Sequence, residues 1–191
     1  MTKDVIEAIE QRSSVRSFTN ESVPEPTIGR LVEAALRAPS AGNIQPWQLV
    51  VVFKEEVRQS LAAACPREGF IADAAVHIVV CLERGKSEKA FGQRGEAYQY
   101  QDIGAAIENM LLAAAGYGLG TCWVGDFPED KVSQILQLGG DLRPVAIIAV
   151  GHTKEKPPLV PQRNANDVVR VINYHCKPTR KDSLRPGFPG H

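Results

Sequence analysis

No stretch of this chain approaches the roughly 20 consecutive apolar residues that a bilayer-spanning helix needs. Charge of one sign is not in excess either: 22 basic and 22 acidic residues leave a formal net charge of +0. Without a basic field nothing attracts a phosphate backbone, so nucleic-acid binding is set aside. Cysteine is sparse and scattered. Cys65, Cys81, Cys122 and Cys176 show no C-x-x-C spacing, and the four histidines do not cluster with them. That argues against zinc and iron–sulfur ligation, and for buried thiols in a reducing compartment. The first residues, Met1-Thr2-Lys3-Asp4-Val5, lack the apolar stretch of a signal peptide, so a cytoplasmic protein is expected. There is no G-x-S-x-G elbow, and Ser13 and Ser14 have no neighbouring base. No catalytic side chain and no metal site are therefore assigned.

What is present fits one soluble domain. The chain has 191 residues, 43% hydrophobic and 23% charged, which is enough for an ordinary core. Val5, Ile6 and Ile9 predict a short amphipathic helix ending near Arg12. Pro26 reads as a first-turn proline. Ile28, Leu31, Val32, Ala35 and Leu36 then follow one helical face, which Pro39 ends. Trp47 to Phe53 and Ala74 to Leu82 predict buried strands, with a helix over Glu55 to Ala64 between them. Glu83 to Glu96 is polar and glycine-bearing, and reads as a mobile surface loop. Tyr98 to Ala115 is apolar on nearly every side, so a subunit interface is expected to cover part of it. Thr121 to Val124 predicts a strand, Pro128 opens a helix ending at Gly139, and Val145 to Val150 predicts a further strand. The resulting order implies an α+β, three-layer α/β/α fold, a central mixed sheet flanked by helices. Residues 1–174 are expected as one domain, and 175–191 as a tail or arm reaching a partner subunit.

Two segments carry chemistry. Arg12, Ser13, Ser14 and Arg16 place two guanidinium groups and two hydroxyls within five residues, an inventory suited to phosphate. Pro39 to Trp47 is a small-residue loop with two amides, Asn43 and Gln45, beside Gly42. It can bring backbone and carboxamides to the edge of a flat polar ring. Gly116 to Thr121 is not a dinucleotide fingerprint, because a helix precedes it and a strand follows. The strand after it ends Trp123-Val124-Gly125, where a glycine exposes backbone to a ligand.

Taken together, RSSVRSF at 12–18, APSAGNIQPW at 38–47, AAAGYGLGTCWVGDF at 113–127 and RPVAIIAVGH at 143–152 resemble the nitroreductase family, over about residues 1 to 174. The resemblance implies an FMN-binding homodimer with flavins at the subunit interface. It also implies ping-pong electron transfer from NADH or NADPH to a small electrophile such as a nitroaromatic or quinone. Arg12, Ser13, Ser14 and Arg16 would hold the FMN phosphate and ribityl chain, with Arg163 as a further cation. Pro39, Ser40, Ala41 and Asn43, with Gln45 beside them, would reach the flavin from the other subunit. Trp123, Val124 and Gly125 would lie along the isoalloxazine. Dehalogenation or flavin breakdown on the same cofactor, or flavin binding without turnover, are the alternatives; the polar 83–96 stretch argues against the first two, which use dedicated lids.

Overall fold

The computed structural model describes residues 4–65, 69–155, 157 and 160–171. Its sheet is built on valine- and isoleucine-rich runs, which pack well on a pleated surface. They form β1 (Trp47–Val52), β2 (Val76–Glu83), β3 (Gly120–Val124) and β4 (Leu142–Gly151). The strand order is β1-β2-β4-β3, and every ladder is antiparallel. The mixed character expected of the sheet is confined to one isolated parallel bridge, Ser14 to Thr121.

Helices cover both faces, as the three-layer reading expected. Because side chains alternate along a strand, β2 divides its residues between two cores. Val76, Ile78, Val80 and Leu82 join one core with α2 (Glu25–Leu36) and α5 (Arg94–Gly116). Val79 and Cys81 join the other, with residues of α3 (Glu55–Ala64) and α6 (Glu129–Leu136). Short α1 (Val5–Gln11), capped by the Asp4 carboxylate on Glu7 N–H, packs on α5.

The structure differs from the sequence reading in several places. Residues 83–96 are not a loop: Lys86–Phe91 form α4, and α5 begins at Arg94. Gly95 permits this, since a Cβ there would lie 2.5 Å from the Ser87 backbone carbonyl. With a helix in that stretch, its polarity no longer argues against lid-bearing chemistry. Helix α6 ends at Leu136, not at Gly139. Gln137 N–H bonds to the Gln134 carbonyl and Leu138 N–H to that of Ser133, a Schellman closure with Gln137 in the left-handed region. The same closure ends α5, where Gly118 takes the left-handed position (φ +74°). Leu36 is exposed rather than inward.

The chain divides into two compact units after Pro157. In the second, Ala165–Val168 form a single turn, α7, capped by Asn164. The expected domain boundary at 174 and the tail 175–191 lie outside the described residues, as does Cys176.

Candidate active site

The Arg/Ser segment leaves α1 in extended form and runs beside β3. Val15 N–H donates to the Thr121 carbonyl at 2.8 Å, next to the Ser14–Thr121 bridge. Val15 is buried in the place where Gly120 lacks a side chain; a Cβ on Gly120 would lie 2.8 Å from Val15 Cγ2. With Val15 turned inward, Ser14 and Arg16 are left exposed. Ser13 and Arg12 are half-buried. Arg12 Nε lies 3.7 Å from Glu108 Oε1 on α5, and the Arg16 guanidinium sits over the Phe70 ring at 5.9 Å. Neither contact uses the guanidinium's full set of donors.

The amide loop is strained. Gly42, Asn43 and Gln45 all have positive φ, of 55°, 57° and 50°. Such conformations cost of order 1–3 kcal/mol each for residues bearing a Cβ, and persist only where the surroundings impose them. Here they are imposed from several sides. The Ser40 hydroxyl accepts Gln45 N–H at 3.0 Å, Gln45 Nε2 donates to Asn43 Oδ1 at 2.9 Å, and Ala41 N–H donates to Asp102 Oδ1 at 3.1 Å. The two carboxamides therefore share one side of the loop, as their spacing predicted. Phe91 of α4 closes over Gly42, whose Cβ would meet its ring at 2.9 Å. Lys86 reaches the Gln45 carbonyl at 3.4 Å. Pro39 is exposed.

The third element is the end of β3. Trp123 is 44% exposed while Val124 is buried. Gly125 follows the last ladder pair, Val124 with Ile147, and is exposed, with open space where a side chain would project.

The fold brings two of these three segments together within one protomer. Residues 12–16 and 123–125 lie along the same strand, joined through Thr121. The amide loop enters the sheet at Trp47, at the end where β3 leaves it, but β2 and β4 intervene. Three strand spacings separate them, roughly 14 Å. Arg163 belongs to the second unit, where it is exposed and its Nη2 lies 3.4 Å from the Asp167 carbonyl.

Sequence reasoning missed Asp102, Glu108, Phe70, Phe91 and Lys86. Asp102 alone had a signal: an acid on the inward stripe of an apolar helix, beside Ile103 and Ala106. Elsewhere, the Arg143 guanidinium forks onto Glu129 through two 2.8 Å bonds, holding that carboxyl below its usual range. Among the described residues no three metal-ligating side chains gather, and no helix is long and apolar enough to cross a membrane.

Comparison with known proteins adds to this geometry. The sequence profile of the Nitroreductase family matches residues 9–68 and 63–152. A protein of Methanothermobacter thermautotrophicus, provisionally named NADH dehydrogenase/NAD(P)H nitroreductase, is 35% identical over 158 residues, 81% of this chain and 80% of its own. The FMN reductase (NADPH) of Bacillus subtilis is 25% identical over 201 residues, 91% of this chain and 81% of its own. A solved structure from Bacteroides thetaiotaomicron, with the same provisional name as the archaeal protein, superposes with a TM-score of 0.77 at 28% identity, over 92% of this chain and 99% of that one. With that profile match over most of its length and a relative 35% identical across 81% of it, the chain belongs to the nitroreductase family.

Proposed function

We propose that this protein is an FMN-dependent oxidoreductase that takes electrons from NADH or NADPH and delivers them to a small electrophilic acceptor. Nitroaromatics and quinones are the acceptor class, and the two substrates use one site in turn, giving ping-pong kinetics. The observation that carries the reading is the alignment of residues 12–16 with residues 123–125 along one strand. It joins a cationic, hydroxyl-bearing cradle to an open backbone edge beside an exposed indole. The names of the M. thermautotrophicus and B. subtilis relatives support the cofactor and the electron donor.

The residues present fit FMN. Arg12 and Arg16 carry spare guanidinium donors, Ser14 is exposed, and nothing occupies the space at Gly125. When bound, FMN supplies the hydride chemistry. The chain supplies binding and orientation. Arg12, Ser13, Ser14 and Arg16 would neutralise and hydrogen-bond the phosphate and ribityl end. Trp123, Val124 and Gly125 would lie along the ring. Phe18, fully buried, keeps the cradle fixed through its antiparallel bridge to Thr153.

The functional unit in this reading is a homodimer. Val5, Ile6 and Ile9 are 63%, 60% and 51% exposed on α1, and Leu36 and Tyr117 are exposed nearby. Val5, Ala8, Leu112, Ala113 and Tyr117 line an apolar hollow of about 300 Å³. A second copy would cover this face. It would also bring its own Pro39, Ser40, Ala41, Asn43 and Gln45 to a ring too far from the first copy's amide loop. The direct test is the visible spectrum and a flavin titration. Wild type should bind FMN, and Arg12→Ala with Arg16→Ala should weaken it at least tenfold, since each charge-assisted contact contributes about 1.5–3 kcal/mol. A protein that takes up no flavin on reconstitution overturns the proposal.

A further inference from the structure

We propose that Asp102 is a positioning residue that sets the amide loop for the flavin site of the partner subunit; the assignment rests on the reading above. Asp102 is 7% exposed, inside the apolar stripe of α5. A carboxylate there is costly unless it does something that packing alone does not. One of its oxygens, Oδ1, accepts Ala41 N–H at 3.1 Å across 61 residues of sequence. The other, Oδ2, is buried with no hydrogen-bond partner, and so is Gln99 Oε1 three residues earlier on the helix. Two unpartnered buried acceptors on one stripe are rare in native interiors.

Ala41 starts the turn in which Gly42, Asn43 and Gln45 are held left-handed. Other bonds of this turn are internal, among them Asn43 N–H to the Ser40 carbonyl, Ile44 N–H to the Ala41 carbonyl, Gln45 N–H to Ser40 Oγ and Gln45 Nε2–H to Asn43 Oδ1. They shape the turn but do not attach it to the body. Attachment falls to Asp102 at its start, to Phe91 against Gly42, and to the exposed Lys86 at the Gln45 carbonyl. Among the described residues, only Asp102 of these offers a carboxylate oxygen to a backbone N–H away from the exposed surface, in a part-buried bond of the kind that fixes geometry firmly. Asp102 and Glu108, the contact of Arg12, stand six residues apart on α5. That is about 9 Å along the axis and about 120° around it. One helix therefore anchors the amide loop on one face and the phosphate cradle on another, and in a dimer these two faces serve different flavins.

The test uses flavin titration of homodimers, then of mixed dimers purified through two tags. Asp102→Asn keeps an acceptor oxygen and should stay within about threefold of wild-type FMN affinity. Asp102→Leu keeps the volume without the acceptor, and should weaken FMN about tenfold with an unchanged melting temperature. If Asp102→Leu fails to fold, Asp102→Ala, which also lacks the acceptor, replaces it. In mixed dimers, Asp102→Leu on one chain and Arg12→Ala with Arg16→Ala on the other should leave about one intact flavin site per dimer. All three changes on one chain, paired with wild type, should leave none. Wild-type affinity in the Asp102→Leu homodimer, or the reverse pattern in the mixed dimers, overturns the proposal. A wild-type protein that binds no FMN overturns instead the function proposed above.

Discussion

At the scale of single residues, His77 shows what burial does to a titratable group. It sits fully buried on β2, with Nε2–H donating to the Ile71 carbonyl at 2.8 Å and Nδ1 without a partner. Protonation would add a second buried N–H with no acceptor, near the Arg58 guanidinium. Burial first, and then Arg58, push its pKa down to about 4 against the Ile71 bond, which favours the charged form. The unfolded chain binds this proton near pH 6.5 and the folded chain only near 4. Stability is thus complete above 6.5 and is lost as pH falls toward 4. Urea unfolding at pH 7 and 4.5 should differ by about 2–3 kcal/mol more in wild type than in His77→Leu. Equal pH slopes in the two proteins would refute the assignment. Gly125 poses the opposite case. Its surroundings are open and its φ lies outside the left-handed region, so Gly125→Val has no cost that the protomer itself imposes. Turnover and flavin content should therefore fall while the melting temperature stays within a few degrees. Full activity in this variant would mean that the end of β3 does not meet the ring.

At the scale of elements, the strand–helix alternation was legible because buried strands and amphipathic helices write their periods directly into sequence. The 83–96 stretch was not. Helix α4 is short, its one buried residue is Ser87, and its existence depends on Gly95 admitting the Ser87 backbone. That close approach joins positions eight residues apart and leaves no periodic trace. The end of α6 was misread for a related reason: Gln137 occupies a left-handed position that the sequence appeared to reserve for glycine. The candidate site divides the same way. Arg12 to Arg16 and Pro39 to Gln45 stood out by residue type, but the attachment of the first to β3 and of the second to α5 is tertiary. The attachment to β3 is testable at Gly120. A methyl there would meet the branched, buried Val15 side chain at 2.8 Å. Val15 has little rotamer freedom with which to yield. Gly120→Ala should cost about 1–3 kcal/mol of stability by overpacking, and should weaken flavin binding as the cradle lifts from Thr121. Unchanged stability and affinity would show that residues 12–16 are held by something other than this seam.

At the scale of the whole molecule, the proposed homodimer rests on the apolar residues of α1. The sequence pattern of Val5, Ile6 and Ile9 announces an inward face, yet in the protomer only Ala8 of this helix is buried. The helix rests on α5 through Ala8 and turns its larger side chains outward. Helix α5 is in the same position: Ala105, Leu112 and Ala113 are half-buried, so the extra faces that its composition advertised are only partly covered by its own chain. Exposed isoleucine is individually ordinary, but here three large aliphatic side chains adjoin an apolar hollow and the exposed Tyr117. Burying one such side chain contributes about 1.5–3 kcal/mol, and a symmetric interface counts each twice. Ile6→Glu with Ile9→Glu should therefore remove roughly 6 kcal/mol or more of association free energy. Light scattering of wild type should give twice the chain mass, and that of the double variant a shift to monomer at micromolar concentration. The fold should survive, because neither side chain belongs to either core. Flavin affinity should collapse with the dimer, because the amide loop and the phosphate cradle then no longer meet. A wild-type monomer that binds FMN tightly would defeat the argument, and so would a dissociated variant that keeps its flavin.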